Sequence, residues 1–365
     1  MRLYVIAGEA SGDLHGSNLV RELKQLKTNL EIRGWGGDLM KNEGVELRKH
    51  YRDLAFMGFV EVVKNLKTIL KNLDFCKKDI LDFKPDAIVL IDYPGFNLRV
   101  AKWAKKQGIK VIYYIAPQVW AWHKSRVKEM REHIDKLLVI LPFEKDFFAK
   151  HNIDAEFVGH PLLDAIARNA DPAYVSENGK PVIAILPGSR KQEIQTILPL
   201  QLSVIPHFPE YEFVIAGTEQ HRALYSKILS RQPQKNVRLI FNQTYSLLRS
   251  AKAALVKSGT STLETALFEV PEVVCYKGNS LSYLIAKNVV DIKYISLVNL
   301  IMDKPVVAEL IQNDLNTKNL VSELKKCLSL HRETQIADYK LLKQKLGETN
   351  ASLRAAEMIV QYLNK

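Results

Sequence analysis

The sequence predicts an α/β protein with two Rossmann-like domains, each built on a parallel sheet, and a helical C-terminus. Short apolar runs alternate with helical stretches in the first half of the chain, and the alternation starts again after a breaker-rich segment at residues 169–181. This alternation is typical of βαβ units whose strands are buried on both faces. The 365 residues are enough for about two or three domains.

Five strands are predicted in each half of the chain. In the first half they are residues 3–7, 31–35, 87–91, 110–115 and 137–141, with helices such as 14–27 and 98–107 between them. In the second half they are residues 182–186, 213–216, 237–241, 253–257 and 273–276. From residue 317 onward the pattern is helical and charged. We therefore expect domains at residues 1–168 and 169–339.

The composition favours an anionic partner and a reducing compartment. The formal net charge is +12, which suits nucleic acid, an anionic membrane or a phosphorylated substrate. Cys76, Cys275 and Cys327 are odd in number and far apart, so neither a disulfide framework nor a metal spacing is expected. No apolar run reaches the ~18 residues of a membrane span, and residues 3–7 suggest a strand rather than a signal peptide. A cytoplasmic protein is expected.

Three loops after strands of the first domain carry candidate chemistry, because ligands bind at the carboxyl ends of such strands. Residues 8–16 form a glycine-rich turn without the GxGxxG pattern, where Ser11 or Asp13 could cap the next helix. Asp92 follows an apolar strand and could take a proton from a hydroxyl, or serve only as a turn residue. Residues 116–126 place two tryptophans beside cations, a set that can hold a sugar, a base or an acyl phosphate.

Two loops of the second domain have the character of phosphate sites. Residues 187–190 place Gly188, Ser189 and Arg190 between a strand and a helix start, where backbone amides and the helix dipole favour an anion. Residues 258–264 are rich in small hydroxyl side chains, and Glu264 could accept hydrogen bonds from ribose. Two such loops in one domain indicate a nucleoside diphosphate.

Residues 59–73 have an apolar stripe at helical spacing with lysines along one flank. Both a core-facing helix and a helix lying on an anionic membrane fit this pattern. The stripe consists of Phe59, Val62, Val63, Leu66, Ile69, Leu70 and Leu73.

Taken together, these stretches resemble the lipid-A-disaccharide synthase family of inverting glycosyltransferases. The most specific are Asp92-Tyr93-Pro94-Gly95-Phe96-Asn97 and Trp120-Ala121-Trp122. The matching residues occur in family order: 8–13, 57–58, 91–97, 117–122, 141–145, 159–162, 186–190, 258–264 and 299–300. Departures from the family pattern are Ala116, His123, Lys277 and the 297–299 stretch.

The resemblance implies a GT-B fold, with two domains facing across a cleft and helices at 340–365 joined to the first domain. It implies transfer of 2,3-diacylglucosamine from UDP-2,3-diacylglucosamine to 2,3-diacylglucosamine 1-phosphate, giving a β-1,6-linked disaccharide 1-phosphate and UDP. It implies no metal, no cofactor and no nucleic acid, and peripheral association with the cytoplasmic surface of the inner membrane. Both a monomer and a homodimer are compatible with the sequence.

The resemblance also assigns roles to residues. Asp92 is the implied base, and the membrane reading of residues 59–73 gains support because both substrates are acylated. The implied UDP-binding residues are Gly188, Ser189, Arg190, Ser258, Gly259, Thr260, Ser261, Glu264 and Asn299. The implied acceptor-side residues are Glu9, Ser11, Gly12, Asp13, Asn97, Gln118, Trp120 and His123.

Three other functions compete with this interpretation. A UDP-N-acetylglucosamine 2-epimerase shares the architecture and the paired anion loops, but the Trp-Ala-Trp loop and the apolar stripe argue against it. A nucleic-acid-binding protein could use the basic stretch at residues 99–136, which has ten Lys/Arg and three Asp/Glu, but charge explains none of the loops. A non-catalytic carrier of lipid or nucleotide is opposed only by the presence of Asp92.

Overall fold

A computed structural model describes residues 1–54, 66–120, 125–278, 293–329 and 331–364. The chain divides into two compact units. Unit 1 comprises Met1–Asp164 with Glu348–Lys365, and unit 2 comprises Ala165–Gly347. Unit 2 is therefore inserted into the chain of unit 1.

Unit 1 is built on a parallel sheet of seven strands in the order β3-β2-β1-β4-β5-β6-β7. Its strands are β1 Arg2–Ala7, β2 Glu31–Gly36, β3 Glu46–His50, β4 Ala87–Ile91, β5 Lys110–Tyr114, β6 Lys136–Val139 and β7 Ala155–Phe157. All five residues of β4 are apolar and buried, as expected for a central strand covered on both faces.

Helices cover both faces of this sheet. They are α1 Ala10–Leu26, α2 Asp38–Asn42, α3 Leu66–Phe83, α4 Pro94–Lys106, α5 Ser125–His133, α6 Pro142–Ala149, α7 Pro161–Arg168 and, from the C-terminus, α15 Ala351–Leu363. One face packs around Tyr4, Trp35 and Tyr113. The opposite face includes Ala356 and Ile359 of α15.

The return of α15 to unit 1 is fixed by a buried carboxylate. Asp164 in α7 accepts hydrogen bonds from the backbone amides of Asn350, Ala351 and Ser352. These amides belong to the first turn of α15, which has no intrahelical partners for them. A carboxylate there also interacts favourably with the helix dipole.

Unit 2 repeats the same design with six strands in the order β10-β9-β8-β11-β12-β13. Its strands are β8 Val182–Leu186, β9 Glu212–Gly217, β10 Val237–Phe241, β11 Ala251–Lys257, β12 Glu272–Tyr276 and β13 Ala308–Ile311. Its helices are α8 Lys191–Leu202, α9 Arg222–Arg231, α10 Thr244–Ser250, α11 Thr260–Leu267, α12 Leu297–Met302, α13 Thr317–Leu328 and α14 Arg332–Lys345.

The structure adds three strands to the ten predicted, and two of the predicted strands end earlier, that at 110–115 by one residue. Strands β3, β7 and β13 were missed; β3 is polar, and β7 and β13 have only three and four residues. The strand predicted at residues 137–141 ends at Val139, because the amides of Ile140 and Leu141 turn toward the Glu144 carboxylate instead of a neighbouring strand.

Helix α3 carries the described part of the predicted apolar stripe. Leu73 is only 8% exposed and packs with Cys76 and Ile80 in the core of unit 1, so it belongs to the core and not to a membrane-facing surface. Leu70 is 48% exposed. Phe59, Val62 and Val63 lie outside the described residues, as does the side chain of Leu66. None of the described helices combines the length and apolarity that crossing a membrane requires.

Candidate active site

The candidate site of unit 1 lies at the carboxyl ends of β1 and β4, where the strand order reverses. Ala7 and Ile91 are paired across these strands, so the two following loops start side by side. The ring of Tyr93 lies against Gly8, and a β-carbon added to Gly8 would collide with that ring. Such a switch point is the usual ligand site of a doubly wound sheet.

Asp92 occupies the first position after β4 in a left-handed conformation, with φ 44°. Burial, followed by repulsion from Glu9, raises the pKa of its carboxyl to about 6, and the backbone amide of Tyr93 partly opposes this shift. A carboxyl that ionises near neutral pH is suited to accept a proton from a substrate hydroxyl.

Hydrogen bonds from side chains within unit 1 stabilise the strained backbone at Asp92 and Tyr93. Both residues have positive φ, 44° and 49°. The carbonyl of Asp92 accepts hydrogen bonds from the Asn97 side chain at 2.7 Å and from the Tyr113 hydroxyl at 2.6 Å. Asn97 is fully buried and also donates to the carbonyl of Ile91 at 3.2 Å. Asn97 thus positions Asp92 rather than presenting its own amide at the surface.

The first-loop residues that the resemblance assigns to the acceptor side differ in exposure. Ser11 is exposed and Glu9 is partly exposed, whereas Gly12 and Asp13 are buried in α1. Asp13 accepts hydrogen bonds from the amides of Gly37 at 2.7 Å, Met40 at 3.0 Å and Leu39 at 3.2 Å. Its carboxylate therefore anchors the start of α2.

A second buried carboxyl, Glu144, supports the tryptophan loop. It accepts a hydrogen bond from the Trp120 indole at 3.2 Å, and burial raises its pKa to about 7. The sequence gives no signal for this contact, because the two residues are 24 positions apart. Gln118 is exposed beside it, whereas His123 lies outside the described residues.

The candidate site of unit 2 lies at its own switch point, between β8 and β11. Leu186 and Val256 are paired there, so residues 187–190 and 258–260 leave the sheet together. Gly188 has φ +101°, and a β-carbon on it would lie 2.5 Å from a carboxylate oxygen of Glu193. Ser189 and Arg190 are exposed at the start of α8, and Thr260 is exposed at the start of α11.

An ion-pair cluster that the sequence did not reveal joins these two loops. The Glu193 carboxylate lies 2.8 Å from the Lys257 ammonium and 3.6 Å from the Arg190 guanidinium. It also accepts a hydrogen bond from the backbone amide of Arg190 at 3.3 Å. No sequence pattern pairs a residue in the first turn of α8 with the last residue of β11.

Two other residues to which the resemblance assigns UDP binding, Ser258 and Asn299, form hydrogen bonds within the protein. The Ser258 hydroxyl donates to the carbonyl of Ile295 at 3.0 Å. Asn299 is buried, and its side chain bonds Glu309 and both the amide and the carbonyl of Val307. Asn299 thus joins α12 to the following loop and β13.

Glu264 lies one turn into α11, with Gly259 and Ser261 near the start of the same helix. It accepts a hydrogen bond from the Tyr245 hydroxyl at 3.0 Å, and burial raises the pKa of its carboxyl. A carboxyl held in this way can accept hydrogen bonds from a diol such as ribose. Among the described residues, no group of three or more His, Cys, Asp or Glu side chains is placed to hold a metal ion.

Comparison with known proteins identifies the family. The family model described as "Lipid-A-disaccharide synthetase" matches residues 3–362. The lipid-A-disaccharide synthase of Syntrophus aciditrophicus is 38% identical over 99% of this chain and 97% of its own length.

Solved structures share the fold at low identity. The glycotransferase of kitacinnamycin superposes with a TM-score of 0.72 at 14% identity, covering 99% of both chains. The UDP-GlcNAc 2-epimerase from Neisseria meningitidis bound to UDP-GlcNAc has a TM-score of 0.64 at 16% identity, covering 100% of both chains. The chain therefore belongs to the lipid-A-disaccharide synthase family and is a glycosyltransferase with the GT-B fold.

Proposed function

We propose that the enzyme transfers 2,3-diacylglucosamine from UDP-2,3-diacylglucosamine to the 6-hydroxyl of 2,3-diacylglucosamine 1-phosphate. Unit 1 binds the acceptor, and unit 2 binds the nucleotide sugar. The observation that carries the proposal is Asp92, a carboxyl with a pKa near 6 at the switch point of unit 1. Its position and pKa are those of a general base.

In the proposed reaction, the Asp92 carboxylate removes the proton of the acceptor 6-hydroxyl. The oxygen attacks the anomeric carbon of the donor from the face opposite UDP, and the bond from that carbon to the diphosphate oxygen breaks. Configuration at the anomeric carbon is inverted. The β-1,6-linked disaccharide 1-phosphate and UDP are the products, and Asp92 later releases its proton to water.

The charge that develops on the departing diphosphate is met by unit 2. Arg190 supplies a guanidinium, and the amides and hydroxyls of residues 258–261 supply hydrogen bonds. Fixed donors aimed at developing charge stabilise the transition state. These protein groups allow the transfer to proceed without a metal ion.

Both substrates carry acyl chains, so we propose that the enzyme works on the cytoplasmic surface of the inner membrane. The exposed side chains Leu70 and Phe75 lie on α3 beside Lys67 and Lys71. Apolar side chains flanked by lysines are typical of helices that bind anionic lipid surfaces.

Release of UDP tests the proposed reaction. The purified enzyme is given UDP-2,3-diacylglucosamine with and without the acylated glucosamine 1-phosphate acceptor, with chelator throughout. We expect acceptor-dependent UDP release that survives the chelator, and Asp92→Asn should lower the rate by about 10² or more while UDP still binds. UDP release without acceptor, or a near-normal rate for Asp92→Asn, would contradict the proposal.

The alternative activity is epimerisation of UDP-N-acetylglucosamine, because the fold is shared with an epimerase whose structure contains that nucleotide sugar. The same assay separates the two activities. Conversion of UDP-N-acetylglucosamine to its 2-epimer, with no acceptor-dependent product, would favour the epimerase.

A further inference from the structure

The ammonium of Lys257 lies where the two nucleotide-side loops of unit 2 meet. Lys257 is the last residue of β11, and its Nζ would be 3.7 Å from a β-carbon placed on Gly259. Its partner Glu193 lies against Gly188 in the other loop. Lys257 therefore adjoins residues 258–260 directly and residues 187–190 through Glu193.

Lys257 and Glu193 form a partly buried pair, unlike Arg190. Their side chains are 19% and 16% exposed, whereas that of Arg190 is 62% exposed. The three charges leave a net charge of +1 at the switch point. An ammonium held in a poorly hydrated site attracts an incoming diphosphate more strongly than a surface lysine does.

We propose that Lys257 is a second cation for the diphosphate of the nucleotide sugar, and that Glu193 holds it between the two loops until the nucleotide binds. This inference rests on the proposed function of unit 2 as the nucleotide-sugar unit. On binding, a diphosphate oxygen accepts a hydrogen bond from Lys257 Nζ. Glu193 keeps its hydrogen bond to the amide of Arg190 and so keeps the start of α8 in place.

The alternative role for the pair is a purely structural bridge between α8 and β11. Two substitutions distinguish the roles because they change the pair from opposite sides. Lys257→Met removes the cation. Glu193→Gln removes the competing negative charge but retains an oxygen that accepts the Arg190 amide, as Gln does in a capping box.

The test is calorimetric titration with UDP, with uridine titrated by ligand-observed NMR. For Lys257→Met we expect the Kd for UDP to rise about tenfold and the Kd for uridine to stay unchanged, because uridine has no phosphate. For Glu193→Gln we expect an unchanged or lower Kd for UDP. Lys252→Met, at an exposed position of the same strand, is the matched control and should bind UDP normally.

Two results would overturn the inference: an unchanged Kd for UDP in Lys257→Met, or equal weakening in Lys257→Met and Glu193→Gln, as a structural bridge predicts. If Lys257→Met lowers the melting temperature, Lys257→Gln is titrated instead with the same expectation. The disaccharide assay is run on the unsubstituted enzyme. If the unsubstituted enzyme forms disaccharide but Lys257→Met and Lys257→Gln bind UDP with an unchanged Kd, only the role of Lys257 is rejected. If these variants bind UDP more weakly as expected but the unsubstituted enzyme forms no disaccharide, only the proposed reaction is rejected.

Discussion

At the scale of single residues, Asp92 sets the pH range of the proposed reaction. The base works only as a carboxylate, so kcat/KM should rise with pH and level off above the pKa near 6. Repulsion from Glu9 is the second cause of that raised pKa. Glu9→Gln should therefore shift the acidic limb to lower pH, by a fraction of a unit to about one unit.

The quantity to compare is the pH at which kcat/KM falls on the acidic side, because Glu9 can also change the plateau value of kcat/KM by contacting the acceptor. The measurement is kcat/KM between pH 4.5 and about 8 for both enzymes. Ser11→Ala, a neutral change in the same loop, is the control. A limb that stays in place in Glu9→Gln would show that Asp92 is not the group being titrated.

The sequence predicts the positions of candidate site residues but not the side-chain contacts that hold them. The position of Asp92 after an apolar strand was readable, because such residues follow the carboxyl ends of parallel strands. The left-handed backbone conformation of Asp92 could not be predicted, because it depends on hydrogen bonds from Asn97 and Tyr113, which belong to two other elements. The same holds for Glu193 and Lys257, which are far apart in sequence.

At the scale of elements, α3 separates the two interpretations of the apolar stripe. Leu70→Ser changes an exposed side chain and should weaken binding to anionic vesicles with little change in melting temperature. Leu73→Ser places a hydroxyl in the core and should cost about 2–4 kcal/mol of unfolding free energy. Vesicle sedimentation and thermal unfolding measure the two effects.

Thr68→Ser, on an exposed position of the same helix, is the control for both assays. Equal vesicle binding by Leu70→Ser and the unsubstituted enzyme would remove this part of α3 from the membrane-binding surface. The sequence could predict the helical period, but the boundary between core and surface depends on how α3 rests on the sheet.

At the scale of the whole molecule, the discontinuity of unit 1 predicts unequal behaviour of fragments. Residues 165–347 contain a complete sheet and should unfold cooperatively on their own. Residues 1–164 lack α15, so Asp164 loses its three amide partners and the apolar face that Ile359 covers becomes exposed. Thermal unfolding of both fragments, followed by circular dichroism, checks this, with a peptide of residues 348–365 added to fragment 1–164.

We expect the peptide to raise the melting temperature of the 1–164 fragment, because it restores a buried helix and its cap. A fragment 1–164 as stable without the peptide as with it would contradict the expectation. The alternation of strands and helices gave the two-sheet architecture from sequence alone. The alternation does not predict which domain the helices at 340–365 join; the resemblance implies the first domain, and in the structure α15 belongs to unit 1 whereas α14 belongs to unit 2.

The insertion of unit 2 into unit 1 has a consequence for biosynthesis. A ribosome completes residues 165–347 before it reaches α15, so unit 2 can fold on the nascent chain while unit 1 still waits for its last helix. During that interval the unfinished face of unit 1 exposes apolar side chains, including Leu19 and Leu23 of α1, which belong to the same core cluster as Ile359. The core of unit 1 can therefore close only after residues 351–363 have left the ribosome, so the timing of that release determines how long these apolar side chains stay exposed.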